Sequence, residues 1–271
     1  MADAYQDIEL EIADPVAVIR LARPSKLNAF TYPMLREIRH AVDAVAADPR
    51  VVGIVITGKG HGFCAGLDAE ALLSTTSRGA DARERTPSGD LPGLFSYLLR
   101  VPKPVIAAVN GVAAGGGFVL AAMCDVRFAS AEASFTSIFT KRGLVAEHGT
   151  TWIVPRLVGA GHALDLLWSS RRIGGEEAAR IGLVEYLVEP RDLLAAASRY
   201  VAELAATVSP AALADTKRMV YEHLGATYSA ALADADDTAW RAIERPDAAE
   251  GSRALVEKRA PAFTRLGTPR S

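Results

Sequence analysis

The sequence predicts an α/β protein in which a sheet core is followed by a helical C-terminal layer. Two apolar runs, VVGIVIT at 51–57 and PVIAAV at 104–109, have the length and composition of buried strands. Each run leads through a glycine-rich segment into a stretch compatible with a helix. After about residue 158 the pattern is helical as far as residue 258. Strands alternating with helices, followed by a helical tail, indicate this architecture.

The N-terminal elements follow from local patterning. Residues 8–12 alternate apolar and acidic side chains and, after an Asp-Pro pair, residues 16–22 form a second apolar run, which predicts a β-hairpin. Residues 31–46 repeat apolar side chains at helical spacing, with a proline near the start, and predict a helix. Residues 74–93 contain few apolar side chains and predict a mobile loop beside the core.

The remaining elements continue the alternation and then become helical. Residues 94–99, 105–109 and 125–129 extend the strand and helix pattern. The helices predicted after them are 159–169, 175–181, 192–207, 210–224, 226–245 and 247–258. We therefore expect a core domain over 1–200 and a helical C-terminal region over 201–271.

Composition argues for a globular protein and against several partner classes. Half of the 271 residues are hydrophobic and 23% are charged, and the net charge of −2 indicates neither nucleic acid nor an anionic membrane as partner. No apolar run approaches the roughly 20 residues that span a bilayer, and the N-terminus does not resemble a signal peptide. Cys64 and Cys124 are the only cysteines and lack metal-like spacing. We expect a reduced, cytoplasmic protein without a metal site.

The two glycine segments are the strongest functional signal. They are HGFCAGLD at 61–68 and NGVAAGGG at 110–117. Glycine allows the backbone to approach a ligand closely, and a helix N-terminus offers unpaired N–H groups at the positive end of its dipole. Two such turns side by side can direct two N–H donors at one oxygen, which is the geometry of an oxyanion hole.

Four segments in this order resemble the crotonase (enoyl-CoA hydratase/isomerase) superfamily, nearly from end to end. LARPSKLNAF at 21–30 resembles the family's LxRPxxxNAL segment, and FCAGLD at 63–68 resembles its FxAGxDL turn. KPVIAAVNG at 103–111, with the following AGGG and CD, is similar to KPxIAAVxGxAxGGG…CD. EKRAPAF at 257–263 is similar to the family's final EKRxPxF helix.

The resemblance implies a spiral of ββα units, assembled as a homotrimer or a dimer of trimers, that binds an acyl-CoA thioester. It implies that the backbone N–H groups of Leu67 and Gly116 form the oxyanion hole. No cofactor is expected beyond the coenzyme A of the substrate. The residues that it assigns to coenzyme A are Lys26, Ala65 and Asp68, with Lys258 and Phe263 reaching the coenzyme A of a neighbouring subunit.

The sequence departs from the hydratase pattern at the two catalytic positions. Hydratases of this family place one glutamate two residues after the triple glycine and another twenty residues later. Here these positions hold Val119 and Phe139, which cannot accept a proton or orient water. The usual two-carboxylate hydration is therefore not expected, and both side chains fit a pocket that contacts the acyl group and excludes water.

A different carboxylate is offered by RGLVAEHGTTW at 142–152, which resembles the isomerase branch of the family. The resemblance implies that Glu147 removes a proton from C2 of a 3-enoyl-CoA and returns it to C4, giving the 2-enoyl-CoA. His148 is a further candidate, as a partner of Glu147 or as part of the substrate pocket. Two alternatives stay open, namely a 2-enoyl-CoA hydratase of fatty acid β-oxidation with atypical acid/base residues, and a non-catalytic acyl-CoA binding protein.

Overall fold

The computed structural model describes residues 5–78 and 91–267, and in these ranges the strands form two sheets. The larger sheet has six strands in the order β1-β2-β3-β5-β7-β10, and all its pairs are parallel except β1 with β2. Its strands are β1 (Ile8–Ala13), β2 (Val16–Leu21), β3 (Gly53–Gly58), β5 (Val105–Val109), β7 (Val126–Ser130) and β10 (Tyr186–Val188).

The smaller sheet has four short strands in the order β4-β6-β8-β9. They are β4 (Gly62–Cys64), β6 (Val112–Ala114), β8 (Ser134–Thr136) and β9 (Ile173–Gly174). The helices are α1 (Tyr32–Ala47), α2 (Ala69–Arg78), α3 (Gly116–Met123), α4 (Thr150–Ser169), α5 (Gly175–Arg180), α6 (Leu193–Thr207), α7 (Pro210–His223), α8 (Tyr228–Ile243) and α9 (Pro246–Glu257). None of the helices in the described ranges could cross a lipid bilayer.

The chain passes repeatedly from the larger sheet to the smaller one and then into a helix. The units are β3-β4-α2, β5-β6-α3 and β7-β8-α4. This order confirms the expected spiral of ββα units with a helical C-terminal region. One expectation is corrected: the long strands do not lead through a glycine turn directly into a helix, because a three-residue strand lies between the long strand and the helix of each unit. Strands of that length carry no periodicity that distinguishes them from a glycine turn.

Both faces of the larger sheet are buried at its central strands β3 and β5, because their alternate side chains enter different clusters. Ile54 and Ile56 of β3 pack in the main core with Ile38 and Val42 of α1. Val55 points to the opposite face, where a second cluster includes residues of α6. The predicted domain boundary at residue 200 falls within α6, and the division into two domains stays a prediction.

Two predicted elements differ from the structure. The predicted loop at 74–93 begins with helix, since α2 continues to Arg78, and residues 79–90 lie outside the described residues. In α2, hydroxyls bond helix carbonyls, as from Thr75 to Ala71 (2.9 Å), which makes a Ser/Thr-rich end compatible with a helix. Helix α4 begins at Thr150, nine residues before the predicted start at 159. Its first half was not predicted because Pro155 and Gly159, whose backbone is non-helical, interrupt the helical pattern of the sequence.

Candidate active site

The first glycine turn is held by backbone hydrogen bonds to the segment before α1. Ala65 N–H donates to the carbonyl of Leu27 (2.9 Å), and Phe30 N–H donates to the carbonyl of Gly66 (2.7 Å). Asp68 N–H donates in turn to the carbonyl of Phe30 (2.9 Å). The two segments that resemble the family therefore form one structural unit, although 34 residues separate Asn28 from Gly62.

Two asparagines that were not predicted to have a role also hold the same turn. Asn28 is fully buried, and its amide donates to the carbonyl of Gly62 (2.7 Å). The amide of Asn110 donates to the carbonyls of Gly60 (2.9 Å) and Gly62 (3.2 Å). Their positions in the NA and NG pairs of the motifs were a usable signal, because an amide can satisfy carbonyls that a turn leaves unpaired.

The second glycine turn packs directly against the first. A Cβ on Gly66 would lie 3.2 Å from the backbone nitrogen of Gly116 and 2.8 Å from the carbonyl oxygen of Ala114. A Cβ on Gly117 would lie 2.1 Å from the carbonyl oxygen of Cys64, so no side chain fits there. Gly66 also has a φ of +92°, which residues with a Cβ rarely adopt. Glycine is therefore required for this close approach.

The predicted oxyanion donors lie in this contact region. The backbone hydrogen bonds between the first glycine turn and Phe30 use the N–H groups of Phe30 and Asp68, but not the N–H group of Leu67. Gly116 is the first residue of α3, where an N–H group has no acceptor within the helix. Neither N–H group has a hydrogen-bond acceptor within residues 5–78 and 91–267. Unpaired N–H donors at this contact can stabilise negative charge on an oxygen, and their catalytic role stays a prediction.

Glu147 lies just before α4, and its turn packs on the far end of α3. A Cβ on Gly149 would lie 2.8 Å from the Cε of Met123, the last residue of α3. The Glu147 side chain is half-buried, and the His148 imidazole beside it lowers the pKa of the carboxyl group despite partial burial. Glu147 is thus held in the ionised form that a general base requires.

Val119 and Phe139 occupy the two hydratase positions as buried apolar side chains. Val119 is fully buried in α3, one turn after Gly116, and Phe139 is 6% exposed. Phe139 begins the loop that leads to Glu147, and its carbonyl accepts a hydrogen bond from Leu144 (3.0 Å). The structure therefore places no carboxylate at either position, and their contact with substrate stays a prediction.

A cleft beside the first glycine turn brings together two of the predicted coenzyme A residues. A cavity of about 300 Å³ is lined by Lys26, Asp68, Arg23 and Tyr32, among others. The pKa of Asp68 is lowered, first by the backbone N–H of Glu70 and then by the Arg23 guanidinium, which lies 3.3 Å away. Arg23 was not predicted as a site residue from the sequence, although it belongs to the RP pair of the first motif.

The remaining predicted contacts divide between this region and the C-terminus. Ala65 is half-buried in the first glycine turn. Lys258 is exposed at the end of α9, and Phe263 packs near Gly251 in the segment that follows. In the described chain no hydrogen bond or ion pair joins Lys258 to the glycine turns or to Glu147. Any role of Lys258 and Phe263 at a coenzyme A site in a neighbouring subunit stays a prediction.

The two cysteines are buried, free thiols. Burial raises the pKa of Cys64 and of Cys124 to about 12, so neither forms a thiolate near neutral pH. Cys64 accepts a hydrogen bond from Gly66 N–H (3.3 Å), which adds a further constraint on the first turn. These thiols therefore contribute packing and turn geometry, and a nucleophilic cysteine mechanism is disfavoured.

Known proteins resemble this chain in sequence and in fold over most of its length. The enoyl-CoA hydratase/isomerase family model matches residues 11–266. A probable enoyl-CoA hydratase from Rhodobacter capsulatus is 37% identical over 267 residues, covering 96% of this chain and 99% of its own. A crotonyl-CoA hydratase from Syntrophomonas wolfei is 35% identical over 261 residues, covering 96% and 98%.

Solved structures agree with these sequence matches. An enoyl-CoA hydratase from Mycobacterium tuberculosis superposes with a TM-score of 0.86 at 30% identity, covering 97% of this chain and 99% of its own. A probable enoyl-CoA hydratase/isomerase from Mycobacterium abscessus has a TM-score of 0.84 at 31% identity, covering 94% and 98%.

Proposed function

Because this chain belongs to the enoyl-CoA hydratase/isomerase family of acyl-CoA enzymes, we propose that it converts a 3-enoyl-CoA into the 2-enoyl-CoA. The observation that carries the proposal is the pair of buried apolar side chains, Val119 and Phe139, where a hydratase has two glutamates. An isomerase needs one group that removes and returns a proton, and Glu147 is an ionised carboxylate in the neighbouring loop. A double-bond shift consumes no water, which agrees with apolar walls.

The proposed reaction uses the two glycine turns and Glu147 together. The N–H groups of Leu67 and Gly116 bind the thioester oxygen and stabilise the negative charge that develops there. Glu147 removes a proton from C2, the double bond shifts into conjugation with the thioester, and Glu147 returns the proton to C4. General acid–base catalysis contributes about 10²- to 10⁴-fold in rate, and one oxyanion donor contributes about 2.7–4 kcal/mol.

Coenzyme A is proposed to lie along the cleft that contains Lys26 and Asp68. The ammonium group of Lys26 in the wall of this cleft suits the phosphates of coenzyme A. The small side chain of Ala65 leaves room for the arm that carries the thioester. The reaction itself uses only proton transfer and oxygen polarisation, so no cofactor or metal is part of the proposal.

The chain is also proposed to assemble as a homotrimer or as a dimer of trimers in the cytoplasm. Large apolar side chains on the last helices are exposed in the single chain, which favours burial against another subunit. They are Tyr228, Trp240, Ile243, Leu255 and Val256. Light scattering on the purified protein tests this assembly, and a monomeric mass would contradict it.

A second candidate function is hydration of a 2-enoyl-CoA by Glu147 acting with His148. Two observations favour it: relatives are named as hydratases, and the imidazole Nε2 of His148 lies 3.5 Å from the Glu147 Oε1. In this mechanism the pair would supply the base and the acid that two glutamates supply elsewhere.

Product analysis separates the two functions. The purified protein is incubated separately with a 3-enoyl-CoA and a 2-enoyl-CoA, and the products are separated and weighed by mass spectrometry. Conversion of 3-enoyl-CoA to 2-enoyl-CoA without a mass change supports the isomerase, whereas addition of one water supports the hydratase. Glu147→Gln is expected to lose the activity by about 10²-fold or more, and Glu176→Gln, an exposed glutamate of α5, is the matched control.

A further inference from the structure

A second cavity, of about 770 Å³, lies between α7 and the segment that precedes β5. Apolar and aromatic side chains form much of its wall, including Leu99, Met123, Trp152 and Tyr221. A volume of this size exceeds what a short acyl group fills and lies within the range of pockets for drug-sized ligands.

This cavity adjoins the parts of the protein that hold the proposed catalytic groups. Gly149 and Trp152 line it, and they follow Glu147 by two and five residues in the chain. Met123, another lining residue, ends the helix that begins at Gly116. At about 1.5 Å per residue, these helix ends are separated by roughly 10 Å. An acyl group whose thioester is bound at Gly116 therefore has to extend by about this distance to reach the cavity.

The charged side chains that border the cavity on α7 already have partners. Lys217 lies 2.7 Å from Asp125, and Arg218 lies 3.0 Å from Asp234. Asp215 lies within 2.6 Å of Arg245. Because these charges are compensated within the protein, α7 does not select a charged ligand, and the apolar part of the wall favours hydrocarbon.

From this proximity and lining, we propose that the cavity receives the distal part of a long or bulky hydrocarbon acyl chain. The substrate would thus be a medium- or long-chain enoyl-CoA. The inference rests on the proposed function, since it needs the thioester at the glycine turns. It also separates this chain from relatives named for crotonyl-CoA or for short-chain enoyl-CoA. Each methylene buried in the cavity would strengthen binding by about fourfold.

Chain-length dependence measured with a filled cavity tests the proposal. Ala214→Trp places an indole in the cavity from α7, whereas Ala212→Trp places the same group on the exposed side of that helix. For the wild type, kcat/KM is expected to be at least tenfold higher for a dodecenoyl-CoA than for the butenoyl-CoA. Ala214→Trp is expected to remove that advantage and to change the butenoyl-CoA value by less than twofold, with Ala212→Trp unchanged. A wild-type optimum at butenoyl-CoA, or equal losses on both substrates, would overturn the proposal.

A binding measurement keeps this result independent of turnover and of the folding of the variant. Calorimetry on the wild type with saturated butyryl-CoA and dodecanoyl-CoA, below the concentration at which the latter forms micelles, needs no chemistry. Dodecanoyl-CoA is expected to bind at least tenfold tighter, and equal affinities would overturn the proposal. Tighter binding without turnover would contradict the proposed function alone, whereas turnover with equal affinities would contradict the cavity assignment alone.

Discussion

The imidazole Nε2 of His148 lies 3.5 Å from the Oε1 of Glu147, its neighbour in the chain. This contact occurs in a turn where His148 has a φ of +56° and Gly149 a φ of +83°. Gly93 packs against the same turn, since a Cβ placed on it would lie 3.3 Å from the His148 Cα. The left-handed backbone and the packed glycine therefore constrain the turn in which the His148 imidazole lies beside the Glu147 carboxylate.

Removing the imidazole is expected to move the acid limb of the pH profile. His148 is the largest cause of the lowered Glu147 pKa, and partial burial acts in the opposite direction. With His148→Asn, whose side chain tolerates the positive φ, the Glu147 pKa rises and the base form is lost at a higher pH. The measurement is kcat/KM for a 3-enoyl-CoA against pH, and the loss of activity on acidification should begin earlier in the variant.

The control for this experiment is His162→Asn on the exposed surface of α4. Its profile should superpose on that of the wild type. An unchanged acid limb in His148→Asn would show that the imidazole does not govern ionisation of Glu147.

Alanine at Gly66 is expected to impair both folding and catalysis. The new Cβ would lie 2.8 Å from the Ala114 carbonyl, in a backbone conformation unfavourable for alanine. Displacing one oxyanion donor should lower kcat by about 10²- to 10³-fold. Gly161→Ala is the matched control, because open space surrounds that position, and it should raise the free energy of unfolding by about 0.4–1 kcal/mol. Wild-type kcat in Gly66→Ala would refute the close-approach argument.

Tyr221→Phe is expected to destabilise the protein without removing any catalytic group. The hydroxyl donates to the Oδ1 of Asp125 (2.9 Å), while the Oδ2 accepts from the Lys217 ammonium and from Val105 N–H, both at 2.7 Å. Loss of a hydrogen bond to a charged, half-buried carboxylate should cost about 1.5–3 kcal/mol. Chemical denaturation measures this cost, and Tyr186→Phe at a 44% exposed site of β10 should change stability by less than about 0.5 kcal/mol. Equal effects of the two variants would contradict the prediction.

Because of the buried Lys103, the free energy of unfolding is expected to rise at alkaline pH. The side chain is 1% exposed, donates to the carbonyls of Val45 (3.0 Å) and Asp48 (2.7 Å), and has its pKa lowered by burial to about 8. The unfolded chain, with the ordinary pKa of 10.5, binds more protons than the folded chain between these pH values. Across that window the free energy of unfolding should therefore rise with pH, by at most about 3 kcal/mol from this group.

The rise is measured as the difference between the wild type and Lys103→Met in urea unfolding at a series of pH values. Parallel curves for the two proteins would show that the buried ammonium does not carry the effect.

Patterning in the sequence was sufficient where one face of an element meets the core over several turns. The predicted helix at 31–46 and α1 (Tyr32–Ala47) agree within one residue, because Thr31 caps the helix and its apolar side chains repeat on one face. The last four helices were likewise predicted within about two residues, since each begins near a capping residue or proline. The hairpin was also confirmed, because alternation with period two is visible over its six-residue strands.

Contacts between distant segments could not be read from local patterns. β4 and β6 have three residues each and exist because they pair with one another across the second sheet. The end of α2 and the start of α4 contain residues that usually end helices, and surrounding bonds and packing override that preference. The 770 Å³ cavity depends on α7 facing the segment before β5, which no local pattern specifies.

The α/β class, the resemblance to the family and the chemical types available at the site all followed from the amino-acid sequence alone. These include two glycine turns, one candidate carboxylate and two apolar residues where hydratases carry glutamates. The tertiary structure was needed to show that Gly66 lies against Gly116, that the Leu67 N–H has no acceptor among the described residues, and that the His148 imidazole lowers the pKa of Glu147. The physical reason is that hydrogen-bond pairing, burial and pKa depend on neighbours in space, and folding brings those neighbours from positions far apart in the chain.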